Sequence, residues 1–314
     1  MKKTILVTGG AGFIGSAYLN VMVPQYPEYR FVNLDALTYA ANRKNLRVEK
    51  YQNYSFVKAD LRNAKAVGRV FSKYNPTHVI HFAAESHVDT SITQPQVFVE
   101  TNVYGTVNVL NAARKHGVER FHHISTDEVY GSIGPNEAPV TETRMVRPGN
   151  PYSASKAAAD AFVLAYHNTY GLDVVITRSS NNYGPGQHRE KFIPLFISQF
   201  AKGKAAPLYG KGKNIRDWIF VFDNVEGIDR VFHQGKAGEI YNLGGGNEIE
   251  NRDVARTLLS LVGNKKARIQ QVVDRLGHDV RYALNSKKAG ALGWKPKVSF
   301  EDGLKKTVVH YLHA

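Results

Sequence analysis

Seven residues near the start of the chain, Gly9-Gly10-Ala11-Gly12-Phe13-Ile14-Gly15, restrict the fold more than any others. They follow Thr4-Ile5-Leu6-Val7-Thr8, an apolar run of strand length. They precede an apolar-periodic segment expected to be helical to about Val23, with Pro24 and Pro27 breaking it. G-x-G-x-x-G between a strand and a helix permits a tight turn, close approach of a pyrophosphate and close helix–strand packing. The helix N-terminus then turns its partial positive charge toward phosphate. Asp35, at the end of a second expected strand over 30–34, is the acidic residue this pattern needs roughly 20 residues on. Its carboxylate suits a ribose diol and would repel a 2′-phosphate, so the expected cofactor is NAD rather than NADP.

The rest of the first half repeats the strand–helix alternation. Strands are expected over 55–59, 78–82, 120–124 and 173–178, and helices over 63–74, 95–116 and 151–170. Such alternation implies right-handed βαβ units and a parallel sheet. Beyond Ser179 glycine and proline punctuate shorter elements, with helices expected over 223–234, 251–262 and 300–313. The expected fold is α/β, a Rossmann-type doubly wound parallel sheet with a smaller C-terminal α/β substrate lobe. The NAD-binding domain is drawn at 1–178. The second lobe is drawn at 179–314, partly interleaved with the first.

Composition removes several function classes. The chain has no cysteine, which excludes disulfides, thiolate metal sites and cysteine nucleophiles. No apolar run approaches the roughly 18 residues of a membrane span, and the N-terminal apolar run ends in glycines as a strand does. A cytoplasmic location without membrane partners is expected. The net charge of +14 raises the question of nucleic acid, but lysines and arginines are scattered, without an aromatic-interleaved basic block. A nucleic-acid role is therefore not expected. The histidines, including His122-His123 and His310 with His313, form no convincing ligand set, so no metal site is read.

Two further patterns carry chemistry. Tyr152-Ser153-Ala154-Ser155-Lys156 sits at the start of an expected helix, and residues i and i+4 share a face. A phenol with a pKa near ~10 is a poor base at neutral pH. A nearby ammonium would favour the phenolate, fitting Tyr152 to take a proton from an alcohol. Ser125-Thr126-Asp127-Glu128-Val129-Tyr130-Gly131 follows the strand 120–124, at the sheet edge where ligands bind. Adjacent, partly desolvated carboxyls repel and their pKa values separate, so one can act as acid and the other as base. Which is which does not follow from the residues.

Taken together, Gly9–Gly15, Asp35 and Tyr152-x-x-x-Lys156 resemble the extended short-chain dehydrogenase/reductase family, whose members modify nucleotide sugars. The resemblance runs almost end to end. It includes Ala83-Ala84-Glu85-Ser86-His87-Val88-Asp89, Arg178-Ser179-Ser180-Asn181-Asn182-Tyr183-Gly184-Pro185, Glu190-Lys191-Phe192-Ile193-Pro194, Arg216-Asp217-Trp218 and Asp274-Arg275-Leu276-Gly277-His278-Asp279. Thr126-Asp127-Glu128 points to the members that dehydrate a nucleotide-linked glucose, since epimerases generally carry small or hydroxyl residues at the two acidic positions. The resemblance implies Tyr152 as base at the C4 hydroxyl, assisted by Lys156, with Thr126 bonded to that oxygen. It implies Glu128 as base at C5 and protonated Asp127 as acid at the C6 hydroxyl.

It also implies NAD contacts from Gly9, Gly12, Phe13, Ile14, Gly15, Asp35, Leu37, Thr38, Leu61, Phe82, Ala83, Ala84, Thr101, Tyr152, Lys156 and Asn182. Asp60 either faces the adenine or caps the next helix. Substrate contacts are implied for Ser86, Thr126, Asn181, Lys191, Pro207, Tyr209, Arg216, Asn251, Arg275 and His278, with the arginines on the pyrophosphate. A homodimer through 95–116 and 151–170 is implied, although packing of those faces within the monomer is equally compatible. A dTDP-linked glucose is the expected substrate, with UDP or another nucleotide as the alternative. A 4-epimerase, or a non-catalytic NAD- or RNA-binding protein on the same fold, is the weaker reading.

Overall fold

The computed structural model of the chain describes residues 2–274 and 277–313. Six strands come first, β1 (Thr4–Thr8), β2 (Arg30–Asp35), β3 (Tyr54–Lys58), β4 (His78–His81), β5 (Arg120–Thr126) and β6 (Val174–Ser179). Then follow β7 (Asn181–Tyr183), β8 (Ala205–Tyr209), β9 (Ile215–Phe220), β10 (Glu239–Leu243), β11 (Glu248–Glu250) and β12 (Arg268–Val272). The main sheet has the order β10-β6-β5-β4-β1-β2-β3, and every pairing in it is parallel. Its central strands are buried on both faces, as a sheet covered by helices requires. The strand order reverses between β1 and β4, and a crevice opens at their carboxyl ends.

Two smaller sheets, β11-β9-β7 and β12-β8, build the second lobe around Phe196, Phe200, Trp218, Phe220 and Leu304. β10 follows β8 and β9 in sequence yet pairs with β6 in the main sheet, Glu239 opposite Val175 through Leu243 opposite Ser179.

Helix ends follow local chemistry. Asn150 and Ser153 form a reciprocal capping box with Pro151 in the first turn, so the helix Pro151–Tyr170 starts immediately before Tyr152. It ends at Gly171 in the left-handed conformation. Two expectations are corrected. The first helix does not stop near Val23 but runs from Phe13 to Gln25 with Pro24 inside it. A proline in the last turn removes only its own N–H bond, and Tyr18, Leu19, Met22 and Val23 anchor that helix in the core. The segment read as one helix over 95–116 is Pro95–Phe98 and Gly105–Lys115 joined by a π-helical stretch, Val99–Tyr104. Such a bulge inserts one residue without changing which residues are apolar, so side-chain periodicity does not reveal it.

Candidate active site

The crevice is built from the glycine turn outward. Gly9 has φ +71°, and a Cβ there would lie 2.6 Å from the backbone of Ala83. At Gly15 a Cβ would lie 2.4 Å from the carbonyl oxygen of Gly9. The glycines therefore hold the turn against both the next strand and the helix. Asp35 is buried and accepts from the N–H groups of Ala11 at 2.9 Å and Leu37 at 2.8 Å. Each carboxylate oxygen keeps a second lone pair, so the residue clamps the turn and still faces the cleft. Burial raises its pKa, opposed by those two bonds.

One continuous cleft brings together Gly9, Gly12, Phe13, Ile14, Gly15, Asp35, Thr38, Asp60, Leu61, Phe82, Ala83, Ala84, Thr101, Thr126, Asp127, Glu128, Tyr152, Lys156 and Asn182. Leu37 is not among the lining residues. Its backbone is left-handed (φ 57°) and its side chain packs on the core beside the first helix. Asp60 is not the cap of the helix Ala64–Tyr74, because Asn63 fills that place by accepting from the N–H of Ala66. Asp60 instead lines the cleft, held by the guanidinium of Arg62 at 2.7 Å. Asn182 Oδ1 is buried without a hydrogen-bond partner among the described residues. With the glycine cradle, that orphaned acceptor fits a polar dinucleotide lying along the cleft.

A second chamber joins the first. Ser86, Glu128, Asn181, Asn182, Gln187 and Lys191 line both, so Glu128 stands at the junction. The second chamber also collects Pro207, Tyr209, Arg216, Asn251 and His278. Lys191 donates to the carbonyl of Ser86 at 2.8 Å. Arg216 lies over the Tyr282 ring at 4.5 Å and donates to the carbonyl of Asp279, which fixes the guanidinium plane. His278 pairs with Asp274 at 2.6 Å. Arg275 lies outside the described residues.

The two adjacent carboxyls sit where β5 ends. Thr126 caps the short turn Asp127–Tyr130, and its hydroxyl accepts from the N–H of Glu128 at 3.3 Å while donating to Asp127 Oδ1 at 3.2 Å. Asp127 is only 3% exposed. Burial first, then the neighbouring Glu128 and Asp217, hold its carboxyl well above the usual range.

The tyrosine–lysine pair differs from expectation. Lys156 does not need Tyr152 as its partner: its ammonium is buried beneath β5, donates to the carbonyl of Ile124 at 2.7 Å and lies 3.3 Å from His123 Nε2. Burial lowers its pKa to about 8. The Tyr152 phenol is pushed up rather than down, by burial and then by Glu128 and Asp127, with the Thr126 hydroxyl acting in the opposite sense. The lysine is drawn under the strand by a carbonyl and by Asp160, which leaves the two carboxylates as the nearer influence on the phenol.

A buried polar layer behind the pair was not legible in the sequence. Asp160 lies 3.5 Å from His123 Nε2 and pairs with Arg178 at 2.9 Å. The Arg178 guanidinium stacks over Tyr130. Asn102, in the π stretch, clamps Glu85 and Ser155, tying the loop after β4 to the helix that carries Tyr152. The only sequence signal was the unusual polarity of apolar-strand positions His122 and His123.

A dinucleotide turn facing a tyrosine, a lysine and two carboxyls in one cleft defines the class, the extended short-chain dehydrogenases/reductases. Within it, the chain belongs to the family described as GDP-mannose 4,6 dehydratase, whose model matches residues 6–307. It is 48% identical over 334 residues to dTDP-glucose 4,6-dehydratase 1 of Escherichia coli K12, covering 98% of this chain and 92% of that one. Among solved structures it resembles the dTDP-glucose 4,6-dehydratase DesIV of Streptomyces venezuelae with NAD bound, with a TM-score of 0.94, 47% identity and coverage of 99% and 97%. It also resembles the UDP-glucose 4-epimerase of Thermus thermophilus complexed with NAD, with a TM-score of 0.92, 33% identity and 99% coverage of each chain. The fold is thus shared with epimerases, and the residues of the site carry the distinction.

Proposed function

We propose that the chain converts dTDP-glucose to dTDP-4-keto-6-deoxyglucose, as an NAD-dependent 4,6-dehydratase. The observation that carries this reading is the meeting of Asp127, Glu128 and Tyr152 in one cleft, with Glu128 at its junction with the second chamber. The proton at C5 of a hexose is not acidic until C4 is a ketone, so oxidation must precede loss of water. NAD supplies the hydride acceptor at C4 and the donor at C6, and is regenerated in each turnover.

The chain's own groups do the proton work. Tyr152 takes the proton of the C4 hydroxyl while Thr126 bonds that oxygen. Glu128 takes the C5 proton and returns one there at the end. Asp127, kept protonated by burial and by its carboxylate neighbours, protonates the departing C6 hydroxyl. An epimerase would have no use for the last two groups. Lys191, Arg216 and His278 are the groups we assign to the nucleotide diphosphate.

The test is a panel of nucleotide-linked glucoses assayed by mass. Loss of one water from the dTDP compound is expected, and no loss from any member, with folded NAD-loaded protein, would overturn the reading. Preferred turnover of the UDP compound would replace the base and keep the reaction.

The same reading makes the protein a cytoplasmic homodimer. No helix among the described residues is long and apolar enough to cross a membrane. Val99 (51% exposed) and Tyr104 (60%) on the segment after Pro95, and Phe162 (42%) and Tyr170 (50%) on the helix Pro151–Tyr170, are large apolar groups left at the surface. Burying such groups is what a second copy offers. Light scattering should give twice the chain mass of 35.0 kDa. A monomer at micromolar concentration would refute this part.

A further inference from the structure

Two loops, one from each lobe, line the cofactor cleft and also touch each other. The first spans 36–46, after β2, and brings Thr38, Ala40 and Ala41 to the cleft. The second spans 184–191, after β7, and brings Gln187 and His188. The ring of Tyr39 meets the ring of His188 edge-on, with centroids 5.7 Å apart and planes at 81°. Asn45 Nδ2 donates to the carbonyl of Gly186 at 2.9 Å. Gly186 sits at φ +86°, and a Cβ there would lie 3.3 Å from that nitrogen, so the missing side chain lets the loops come together.

Each loop is held from behind by its own lobe. Asn42 donates its N–H to the carbonyl of Ala11 in the glycine turn at 2.9 Å, and Asn20 of the first helix donates to the carbonyl of Asn45 at 2.7 Å. On the other side the Tyr311 hydroxyl donates to the carbonyl of Gln187, whose own Nε2 donates to the carbonyl of Asn182 at 2.9 Å. The side chains that cross between the lobes lie outside the core. Tyr39 is 47% exposed and Asn45 is half-buried. What they join is two loops already fixed in place, on one side of the cleft.

We infer that Tyr39 and Asn45 clasp this cleft over bound NAD, through His188 and Gly186 of the opposite lobe, and set how slowly the cofactor leaves. The inference rests on NAD occupying the cleft, as proposed above. The reaction explains the need for it. The hydride taken from C4 stays on the cofactor through the loss of water and is returned at C6. A reduced cofactor that escaped midway would strand a ketone. The two-chamber arrangement suits this, because the sugar can enter by the second chamber while the first stays closed.

The test is the rate at which bound NAD leaves. Holoenzyme loaded with radiolabelled NAD is mixed with excess unlabelled NAD and filtered at intervals. Asn45→Ala removes one hydrogen bond and should speed the loss of label roughly fivefold. Tyr39→Ala removes the ring contact and should speed it roughly 2- to 10-fold, and the double variant should show the product of the two factors. Tyr39→Phe keeps the ring and should release label at the parent's rate. Far-ultraviolet circular dichroism should match the parent in all four variants, since none of these side chains builds the core. Release at the parent's rate from either alanine variant would overturn the clasp, as would equally fast release from Tyr39→Phe and Tyr39→Ala. A parent protein that retains no label would instead overturn the placement of NAD, so the two failures are distinguishable.

Discussion

The ammonium of Lys156 donates to the carbonyl oxygen of Ile124 at 2.7 Å, directly beneath the strand that delivers Thr126. The bond joins the helix carrying Tyr152 to the strand end carrying the two carboxyls, and so couples the group proposed for oxidation to the groups proposed for elimination. Lys156→Met should leave the glycine cradle in place, because the cradle sits on other elements, while NAD loses the contact implied for Lys156. Formation of NADH on adding substrate should slow by roughly 100-fold or more. Stopped-flow absorbance of NADH checks this, and an unchanged rate would remove Lys156 from the oxidation.

Glu128 occupies the junction of the chambers and is the residue proposed as base at C5. Glu128→Gln should retain NAD and still oxidise C4, while loss of water falls by a factor on the order of 100 to 10,000. The signature is NADH that accumulates with no dehydrated product by mass. Normal dehydration by this variant would take the role of base from Glu128.

Gly9 has little room to change. Its φ of +71° and the 2.6 Å approach of a Cβ to the Ala83 backbone mean that Gly9→Ala must strain the turn or move β4. A stability loss on the order of 1–3 kcal/mol is expected from the backbone strain, with loss of copurifying NAD. Urea unfolding and the absorbance ratio of the purified protein report the two effects separately.

His122 is fully buried against Thr177, and burial lowers its pKa to about 3. The sign follows from which state binds the proton. Below the unfolded value of about 6.5 the unfolded chain takes up a proton that the native state refuses, so stability is lost as pH falls from there toward the folded value. His122→Gln removes this one site. Between pH 6 and 5 the parent should lose stability more steeply than the variant, by about 1.4 kcal/mol per pH unit at most. Denaturation midpoints across that range test it, and parallel slopes would show that His122 is not kept neutral.

The parallel sheet, its glycine turn and the positions of its first six strands along the chain were legible because each rests on local chemistry. Gly9–Gly15 admits little but a tight strand-to-helix turn, Asn150 with Ser153 starts a helix, and buried strands read as apolar runs. Thr126, Asp127, Glu128, Tyr152 and Lys156 line one cleft, a grouping that the sequence offered only through the family resemblance. Tertiary structure alone decided the rest. It joined β10 to the main sheet, set Asn102 in a π-helical bulge and drew Lys156 under β5 toward Ile124, His123 and Asp160. Each of these depends on burial and on partners tens of residues away, and a side chain's ionisation follows from what surrounds it rather than from its neighbours in the chain.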